Sequence, residues 1–311
     1  MTFLTNNKYT FFGIAAILLW SCVTAFIRDL SELFGPTGGA ALMYSVSAIF
    51  LMLVMGIPKI KHYPKRYLII GGTLFVAYEV CLALSLGLAN SRHQAMEMAI
   101  INYLWPALTI LFSVILSKNK VNILVYPSIL LAFSGVAWCI SGDQGLSLET
   151  LMHNIADNPI TYLMAFSAAI IWAFYCVITT RISNGKNAIA LFFAATAITL
   201  WVKYAFSHEP SFHFTPHSTL ILLLSGIVIG TGYALWNQAM IGGNIILLGT
   251  LSYFTPVFST LFASFYLSIS LGGSFWQGVF LVTLGSLICF IVTRSKTPQP
   301  ENKHTAVKPS E

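Results

Sequence analysis

The sequence predicts an all-α polytopic membrane protein, with ten transmembrane helices as two inverted five-helix repeats and both termini in the cytoplasm. Apolar residues make up 57% of the chain and charged residues only 8%, a composition far from that of soluble domains. Apolar runs long enough to cross a bilayer of about 30 Å follow one another along the chain. The motif Tyr-x-x-Pro occurs in two similar apolar stretches, at residues 103–106 and 253–256.

Ten apolar runs are predicted to be membrane spans, because a helix satisfies its own backbone hydrogen bonds inside lipid. The first run is longer than the apolar core of a signal peptide and leads directly into further spans, so we expect no cleaved leader. The predicted spans are residues 9–28, 36–56, 67–89, 94–117, 121–141, 159–181, 187–206, 219–241, 245–268 and 273–293.

The net charge of +6 is distributed very unevenly between the predicted loops. If the N-terminus is cytoplasmic, the outer side holds only Arg28, Arg92 and Lys203 of the 16 Lys and Arg residues. Such a bias is the positive-inside pattern, and it places both termini in the cytoplasm. The basic excess is therefore an orientation signal and requires no nucleic-acid partner.

Five spans per repeat is an odd number, so the second repeat must enter the membrane with the opposite orientation. The first repeat comprises residues 1–141 and the second comprises residues 159–293. Between them, residues 142–158 form a periplasmic connection whose apolar residues favour a short helix on the membrane surface. Residues 294–311, which contain Pro and scattered Lys, are predicted to be a disordered cytoplasmic tail.

Two apolar stretches share one motif: they read IINYLWPALTILF, from residue 100, and TLSYFTPVFSTLF, from residue 250. Within a helix, proline removes one amide donor and clashes with the carbonyl four residues earlier. The carbonyls freed in this way belong to Asn102 and Ser252. We therefore predict a helix break or hinge at Pro106 and at Pro256. A broken helix at the same point in each half points to a transport site.

Glu79 and Glu97 are the acidic residues that fall within predicted spans. A carboxylate at that depth is costly unless it is paired, hydrated or protonated, so each is a candidate functional group. For Glu79 two roles are open: substrate or proton binding, and an interhelical structural bond. Glu97, nearer the outer surface, either reaches that surface or pairs with Arg92 or His93. Arg28 is expected to extend its guanidinium to the outer surface.

Aromatic and amide side chains near the centres of the spans predict a central cavity. Tyr and Trp normally favour the membrane interfaces, so a set at mid-depth is typical of a cavity lining, although helix contacts are the alternative. Such a cavity suits a flat ligand, whose ammonium group meets Glu79 or a ring and whose carboxylate meets Asn102 or the helix end near Pro106. The candidate substrate-binding residues are Tyr78, Glu79, Asn102, Tyr103, Trp105, Trp172, Tyr175, Trp236, Asn237 and Tyr253.

Several chemistries have no motif in this sequence. There is no phosphate-binding loop, nucleophile elbow or zinc-protease motif, which argues against nucleotide hydrolysis and against an enzyme. All five cysteines fall in predicted spans, and the loop with His208, Glu209, His213 and His217 is interrupted by prolines. We therefore expect no metal site, no cofactor and no required protein partner. Mid-depth Lys and Arg are also missing, which disfavours phosphorylated substrates.

Longer segments carry a family resemblance: FGPTGGAALMYS (34–45), YEVCLALSLG (78–87), HQAMEMAIINYLWPALTILF (93–112), SYFTPVFS (252–259) and SFWQG (274–278). With these segments the chain resembles the ten-helix drug/metabolite transporter superfamily, whose two EamA-type halves are inverted repeats. More narrowly, it is similar to the bacterial aromatic amino acid exporters of that superfamily. The resemblance covers about residues 9–293 and falls on Tyr78, Glu79, Tyr103, Trp105 and Pro106.

The resemblance implies an inner-membrane carrier that exports aromatic and other neutral amino acids by alternating access to a central cavity. Efflux of flat organic cations or drugs, with Glu79 as the counter-ion, is the first alternative. A membrane sensor that binds a metabolite without moving it is the second. The expected partners are thus a small-molecule substrate and the lipid bilayer.

Overall fold

A computed structural model describes residues 2–117, 123–141, 148–242 and 251–294, and within these ranges it contains helices and no strand. The first helices are α1 Thr2–Ser21, α2 Val23–Phe34, α3 Pro36–Met55, α4 Gly72–Gly87, α5 Arg92–Asn102, α6 Trp105–Ser117 and α7 Val125–Ser141. The remainder are α8 Leu148–Asp157, α9 Pro159–Ile182, α10 Ile189–Ala205, α11 Pro216–Gly242, α12 Thr255–Tyr266 and α13 Gly273–Arg294. A 3₁₀ turn, Ile60–His62, and a π-helical turn, Tyr67–Gly71, precede α4.

Six helical stretches in the described part of the chain are long and apolar enough to cross a membrane. They are Lys8–Phe34, Pro36–Met55, Tyr67–Gly87, Pro159–Thr179, Pro216–Trp236 and Gly273–Val292, and two shorter apolar helices occupy Val125–Ile140 and Ile189–Ala205. The chain is therefore an all-helical, multi-pass membrane protein. The predicted tail, residues 294–311, lies outside the described residues except for Arg294. Residues 118–122, 142–147 and 243–250 also lie outside them; they hold two predicted loops, the first part of the predicted connection 142–158, and the starts of the predicted spans 121–141 and 245–268.

The helical path is interrupted at two related places, each just before a proline. Helix α5 ends at Asn102 and α6 begins at Trp105, so that Pro106 is the second residue of α6. Likewise Tyr253 and Phe254 form a turn before α12, in which Pro256 is the second residue. Proline is favoured in the first helical turn, where its missing amide has no partner to lose.

A third interruption, between α1 and α2, has no proline and was not predicted. Cys22 donates its backbone amide to the Leu19 carbonyl in a tight three-residue bond at 3.1 Å. Just before it, the Ser21 hydroxyl donates to the Ile17 carbonyl at 2.8 Å, and the Cys22 thiol faces the Leu18 carbonyl at 3.5 Å. Side-chain bonds to carbonyls four residues earlier bend helices, which explains a break at this place.

Close approach of α7 and α13 depends on small residues. A Cβ atom added at Gly135 would lie 2.6 Å from the Val282 amide nitrogen, and one at Gly285 would lie 2.6 Å from that of Ala132. Helices also pack in the pairs α3 with α10, α1 with α11, and α4 with α9. Small residues at helix contacts let backbones approach in lipid, where dispersion contacts replace the hydrophobic effect.

Arg28 corrects one prediction, because its side chain does not extend to the outer surface. The residue is 9% exposed, and its guanidinium donates to the Ala89 carbonyl at 2.6 Å and to the Glu32 carboxylate at 2.9 Å. The carbonyls that follow α4 have no helical partner, so a guanidinium there is stabilised by hydrogen bonds and by the helix dipole. Arg28 therefore joins α2 to the end of α4.

Loop polar groups fix the beginnings of two helices. Glu209, from the His-containing loop, accepts hydrogen bonds from the backbone amides of Thr37 and Gly38 at the start of α3, at 2.9 Å each. The Ser91 hydroxyl accepts from the Gln94 amide and caps α5. Both arrangements satisfy amides that a helix N-terminus leaves free. Within the described residues no three His, Cys, Asp or Glu side chains are grouped to hold a metal ion.

Candidate functional site

A central cavity lies where the interrupted helices meet. Fourteen of its sixteen lining residues come from α1, α2, α4, α5, α6, α9, α11 and α12; the other two are Tyr103, in the turn before Pro106, and Ser252, the helical residue before the turn at Tyr253. Both halves of the chain therefore contribute to one site. Six of the predicted site residues belong to its wall: Tyr78, Glu79, Asn102, Tyr103, Trp105 and Trp172.

Three other aromatic candidates stand behind this wall and are not among its lining residues. Tyr175 stacks on Trp172 with ring centroids 4.8 Å apart, and Trp236 packs on Trp20 at 5.0 Å. Tyr253 is buried against Phe290 at 5.5 Å. A helix directs successive mid-depth rings to different sides, so depth alone does not decide which ring faces the cavity. Asn237 lies on α11, and its side chain is outside the described part of the structure.

The sequence reasoning missed several residues that complete the wall. Among them Trp20, Thr24, Tyr233, Ser252 and Thr255 supply rings and hydroxyl groups, and the rest are apolar: Val23, Leu82, Leu86, Ala99 and Ile229. Trp20 and Tyr233 had a sequence signal, because each resembles a predicted site residue of the other half, Trp172 and Tyr78 respectively. The unpredicted break beside Cys22 brings α1 and α2 to the cavity.

Six of the sixteen residues that line the cavity carry aromatic rings. Tyr78 and Trp172 stack with centroids 4.4 Å apart, and Trp105 meets Trp172 edge to face at 6.4 Å. Trp20 and Tyr233 form a further edge-to-face pair at 5.2 Å, and Tyr233 meets Trp172 edge to face at 6.3 Å. Rings arranged in this way are held by several neighbours, so they offer fixed faces and edges to a planar ligand.

Glu79 joins three helices at the cavity wall. It is 1% exposed, and its two oxygens accept hydrogen bonds from the hydroxyls of Tyr44 on α3 and Tyr233 on α11, at 2.6 Å each. A buried carboxylate requires such donors, because an unpaired charge at this depth is very costly. The structure thus contains the interhelical bond that was one of the two predicted roles. The bond from Tyr233 also connects the two halves of the chain.

Glu97 does not reach the central cavity. Its carboxylate accepts a hydrogen bond from the Tyr162 hydroxyl and lies 3.6 Å from His93 Nε2, in a separate pocket with His153 and Asp157. Pairing with His93 was one of the predicted alternatives. The other alternative, Arg92, instead pairs with Glu32 at 2.7 Å, and this pairing raises the pKa of Arg92.

A hydrogen-bond network links the two halves beyond the cavity. Arg92, at the start of α5, donates to the Leu267 carbonyl at the end of α12 at 2.6 Å. Close by, the Tyr266 hydroxyl donates to Asp29 on α2 at 2.6 Å. These bonds hold α2 and the start of α5 against the end of α12.

Most of the chain is similar to a known transporter family and to individual transporters. The sequence pattern of the EamA-like transporter family matches residues 7–141 and again residues 159–291. The aromatic amino acid exporter YddG of Salmonella typhimurium is 44% identical over 293 residues, which cover 94% of this chain and 100% of that protein. The aromatic amino acid exporter YddG of Escherichia coli is 44% identical over 291 residues, which cover 94% of this chain and 99% of that protein.

A more distant relative and a solved structure extend the comparison. The aromatic amino acid exporter YddG of Ancylobacter novellus is 26% identical over 268 residues, covering 83% of this chain and 88% of that protein. One solved crystal structure of a protein has a TM-score of 0.66 and 25% identity, covering 93% of this chain and 99% of that chain. The similarity thus extends over nearly the full length of each protein.

Proposed function

The chain belongs to the EamA-like transporter family, and we propose that it exports aromatic and other neutral amino acids across the bacterial inner membrane. The observation that carries the proposal is the aromatic wall of the central cavity, to which both halves contribute Trp and Tyr rings. Two relatives that are 44% identical are aromatic amino acid exporters, which supports the same substrate class here. As a member of this family the chain is a transporter and not an enzyme.

The cavity suits such a substrate in charge. None of its sixteen lining residues is Lys or Arg. A neutral amino acid carries no net charge, so it requires no fixed cation in the wall, whereas a phosphorylated substrate does.

We further propose the ten-span inverted architecture, with both termini cytoplasmic. The family pattern matches twice, and the helix contacts have the symmetry that this architecture requires. If α3 corresponds to α10 and α7 to α13, each of these helices packs on its own counterpart. If α1 corresponds to α9 and α11 to α4, the contact of α1 with α11 corresponds to that of α9 with α4, and both are present.

Alternating access would then use the two helix breaks as hinges. Both breaks border the cavity: Tyr103 lies in the first turn, and Ser252 and Thr255 lie directly before and after the second. A broken helix changes direction at little cost, because its hydrogen-bond ladder is already interrupted there. Movement about the two turns would open the cavity to one side of the membrane and close it to the other.

The proposal is tested by flux through the purified protein in liposomes. Vesicles loaded with labelled tryptophan or phenylalanine should release it faster than protein-free vesicles, and unlabelled aromatic amino acids should compete. The same assay, run with and without an imposed pH gradient, would show whether protons are coupled to transport. Absence of flux above protein-free vesicles, for every neutral amino acid, would refute the proposal.

The same experiment separates amino acid export from cation efflux. Cation efflux requires Glu79 as a counter-ion, whereas both oxygens of Glu79 already accept hydroxyl hydrogen bonds within the protein. We therefore expect the Glu79→Gln variant to keep a measurable amino acid flux. Cation efflux would be favoured if the wild type transports an aromatic cation and no amino acid, and if Glu79→Gln abolishes the cation flux.

A further inference from the structure

Two buried polar side-chain atoms of the cavity wall have no hydrogen-bond partner among the described residues. In the part of the chain that the structure describes, four buried side-chain nitrogen or oxygen atoms have no hydrogen-bond partner: Trp20 Nε1, Asn102 Oδ1, Thr260 Oγ1 and Ser286 Oγ. Buried polar atoms are normally paired, so each exception requires an explanation. Trp20 and Asn102 line the central cavity, whereas Thr260 and Ser286 do not. The first two therefore have a potential partner in a bound ligand.

Trp20 supplies a hydrogen-bond donor whose position is fixed. It stands at the end of α1, beside the break at Cys22, and packs on Tyr233 at 5.2 Å and on Trp236 at 5.0 Å. A Cβ atom at Gly232 would lie 3.0 Å from the indole nitrogen, so the absence of a side chain at this position leaves room for the indole. An indole N–H donates and never accepts, so its partner must be an acceptor.

Asn102 supplies a hydrogen-bond acceptor, which complements the donor of Trp20. It is the last residue of α5 before the first break and is only 6% exposed. Its amide lies beside the Tyr78 hydroxyl, and its oxygen remains without a partner. An amide oxygen accepts hydrogen bonds, so the group missing here is a donor.

We propose that Trp20 and Asn102 bind the two charged ends of an amino acid substrate, an inference that rests on the function proposed above. The Trp20 N–H donates to the α-carboxylate, and the Asn102 Oδ1 accepts from the α-ammonium group. The substrate side chain then contacts the rings of Tyr78, Trp172 and Trp105. A zwitterion has no net charge, and a neutral donor with a neutral acceptor matches it without placing a fixed charge in the membrane.

In this proposal the substrate's ammonium group binds at Asn102 and not at Glu79. Both oxygens of that carboxylate accept hydroxyl hydrogen bonds at 2.6 Å, so a ligand would have to displace a bond that joins helices. The Asn102 oxygen has no such bond to lose. Recognition by Trp20 and Asn102 would also discriminate against molecules that lack one of the two charged groups, because the corresponding wall atom would stay unpaired.

The test measures recognition of each charged group separately, in liposomes that contain the full-length protein. Labelled tryptophan flux is inhibited with phenylalanine, with phenethylamine, which lacks the carboxylate, or with 3-phenylpropionate, which lacks the ammonium group. In the wild type, each incomplete analogue should need at least about a tenfold higher concentration than phenylalanine for half inhibition. A wild-type ratio near one for either analogue would overturn the assignment of the corresponding residue.

The variants then locate each recognition. Trp20→Phe keeps a ring and removes the N–H, so the phenethylamine ratio should fall to within about threefold of one while the phenylpropionate ratio persists. Asn102→Leu should have the opposite effect, and Asn102→Asp, which retains an acceptor, should preserve ammonium recognition. Ratios that stay at their wild-type values in Trp20→Phe and Asn102→Leu, or that fall together in both, would overturn the proposal.

Matched controls come from the two unpartnered atoms outside the cavity. Thr260→Val and Ser286→Ala also remove unpaired buried hydroxyls, and both ratios should stay at the wild-type values. Monodisperse elution in detergent checks that each variant is folded, and the Asn102 pair tests the proposal independently if Trp20→Phe does not fold. Absence of amino acid flux in the wild-type protein would refute the proposed function. Normal wild-type flux, with inhibition ratios unchanged in the Trp20 and Asn102 variants, would refute only the roles of these two residues.

Discussion

At Tyr103 and at Tyr253 the chain leaves its helix in the same way, with two turn residues and a proline in the following first turn. Around the first break, Asn102, Tyr103 and Trp105 all line the cavity. At the second break the equivalent tyrosine packs on Phe290, away from the cavity, and Phe254 is 41% exposed. The same backbone form therefore serves two different surroundings.

The freed carbonyls show the same contrast. At the second break, the Thr255 hydroxyl donates to the Ser252 carbonyl at 2.6 Å, so this turn satisfies its own backbone group. At the first break Trp105 occupies the position of Thr255, and an indole ring there cannot make that bond. The first break thus presents a large ring and an amide to the cavity, while the second presents the smaller Ser252 and Thr255 side chains and satisfies its own carbonyl. We infer that the first contributes substrate contacts and that the second contributes mainly movement.

The largest expected effect separates the two equivalent positions directly. Trp105→Ala should lower aromatic amino acid flux by at least about tenfold, because it removes a ring face that contacts the substrate. Thr255→Ala, at the matching position, should lower flux only about twofold. The measurement is initial efflux from liposomes, with His213→Ala in an outer loop as the control. Equal losses at residues 105 and 255 would contradict the comparison.

Next in size is the effect of Glu79, an acid near the first break that has no counterpart in the second half. Glu79→Ala would leave the Tyr44 and Tyr233 hydroxyls without their acceptor. Each unpaired buried hydroxyl should lower the free energy of unfolding by about 1–3 kcal/mol. We expect a lower melting temperature in detergent and about a tenfold loss of flux. Glu79→Gln keeps an acceptor and should recover most of the stability. A melting temperature unchanged in Glu79→Ala would show that these bonds do not stabilise the protein.

Proline substitutions should affect both breaks to a similar degree. Pro106→Ala and Pro256→Ala each restore an amide and allow a continuous helix, which stiffens the turn. We expect each to lower the maximal flux by about three- to fivefold, with the half-saturating substrate concentration unchanged. Flux measured over a range of substrate concentrations separates the two quantities. A change in half-saturation confined to Pro106→Ala would assign the first proline to binding instead of movement.

The smallest expected effect is at the bond that closes the second break. Thr255→Val keeps the shape of the side chain and removes the hydroxyl donor to Ser252, which should cost about 1 kcal/mol of stability. Flux should stay within about twofold of the wild type. Thermal unfolding followed by size-exclusion chromatography measures the first quantity, and Thr260→Val, which removes an unpaired hydroxyl of the same helix, is the control. A flux loss as large as that of Trp105→Ala would place Thr255 among the main substrate contacts.

Much of this molecule follows from local sequence properties. Apolar runs require helices in lipid, because the bilayer supplies no partner for a free backbone group. Pro106 and Pro256 place turns beside themselves wherever the helix lies, since the loss of an amide is a property of the residue. The family segments around Tyr78 and Asn102 then indicated the transporter class and part of the cavity wall.

Tertiary structure decided which side chains share the cavity. Trp172 and Tyr175 lie on one helix at similar depth, yet only Trp172 faces the cavity, because neighbouring helices fix how α9 is rotated about its axis. Arg28 is buried because the carbonyls after α4 come within its reach, 61 residues along the chain. The sequence by itself determined the membrane helices and their two proline breaks, which depend on each residue's own backbone and on its transfer into lipid. Only the contacts between distant helices could decide how much each half contributes to the site. The same contacts decide that Trp20 Nε1 and Asn102 Oδ1 have no partner among the described residues.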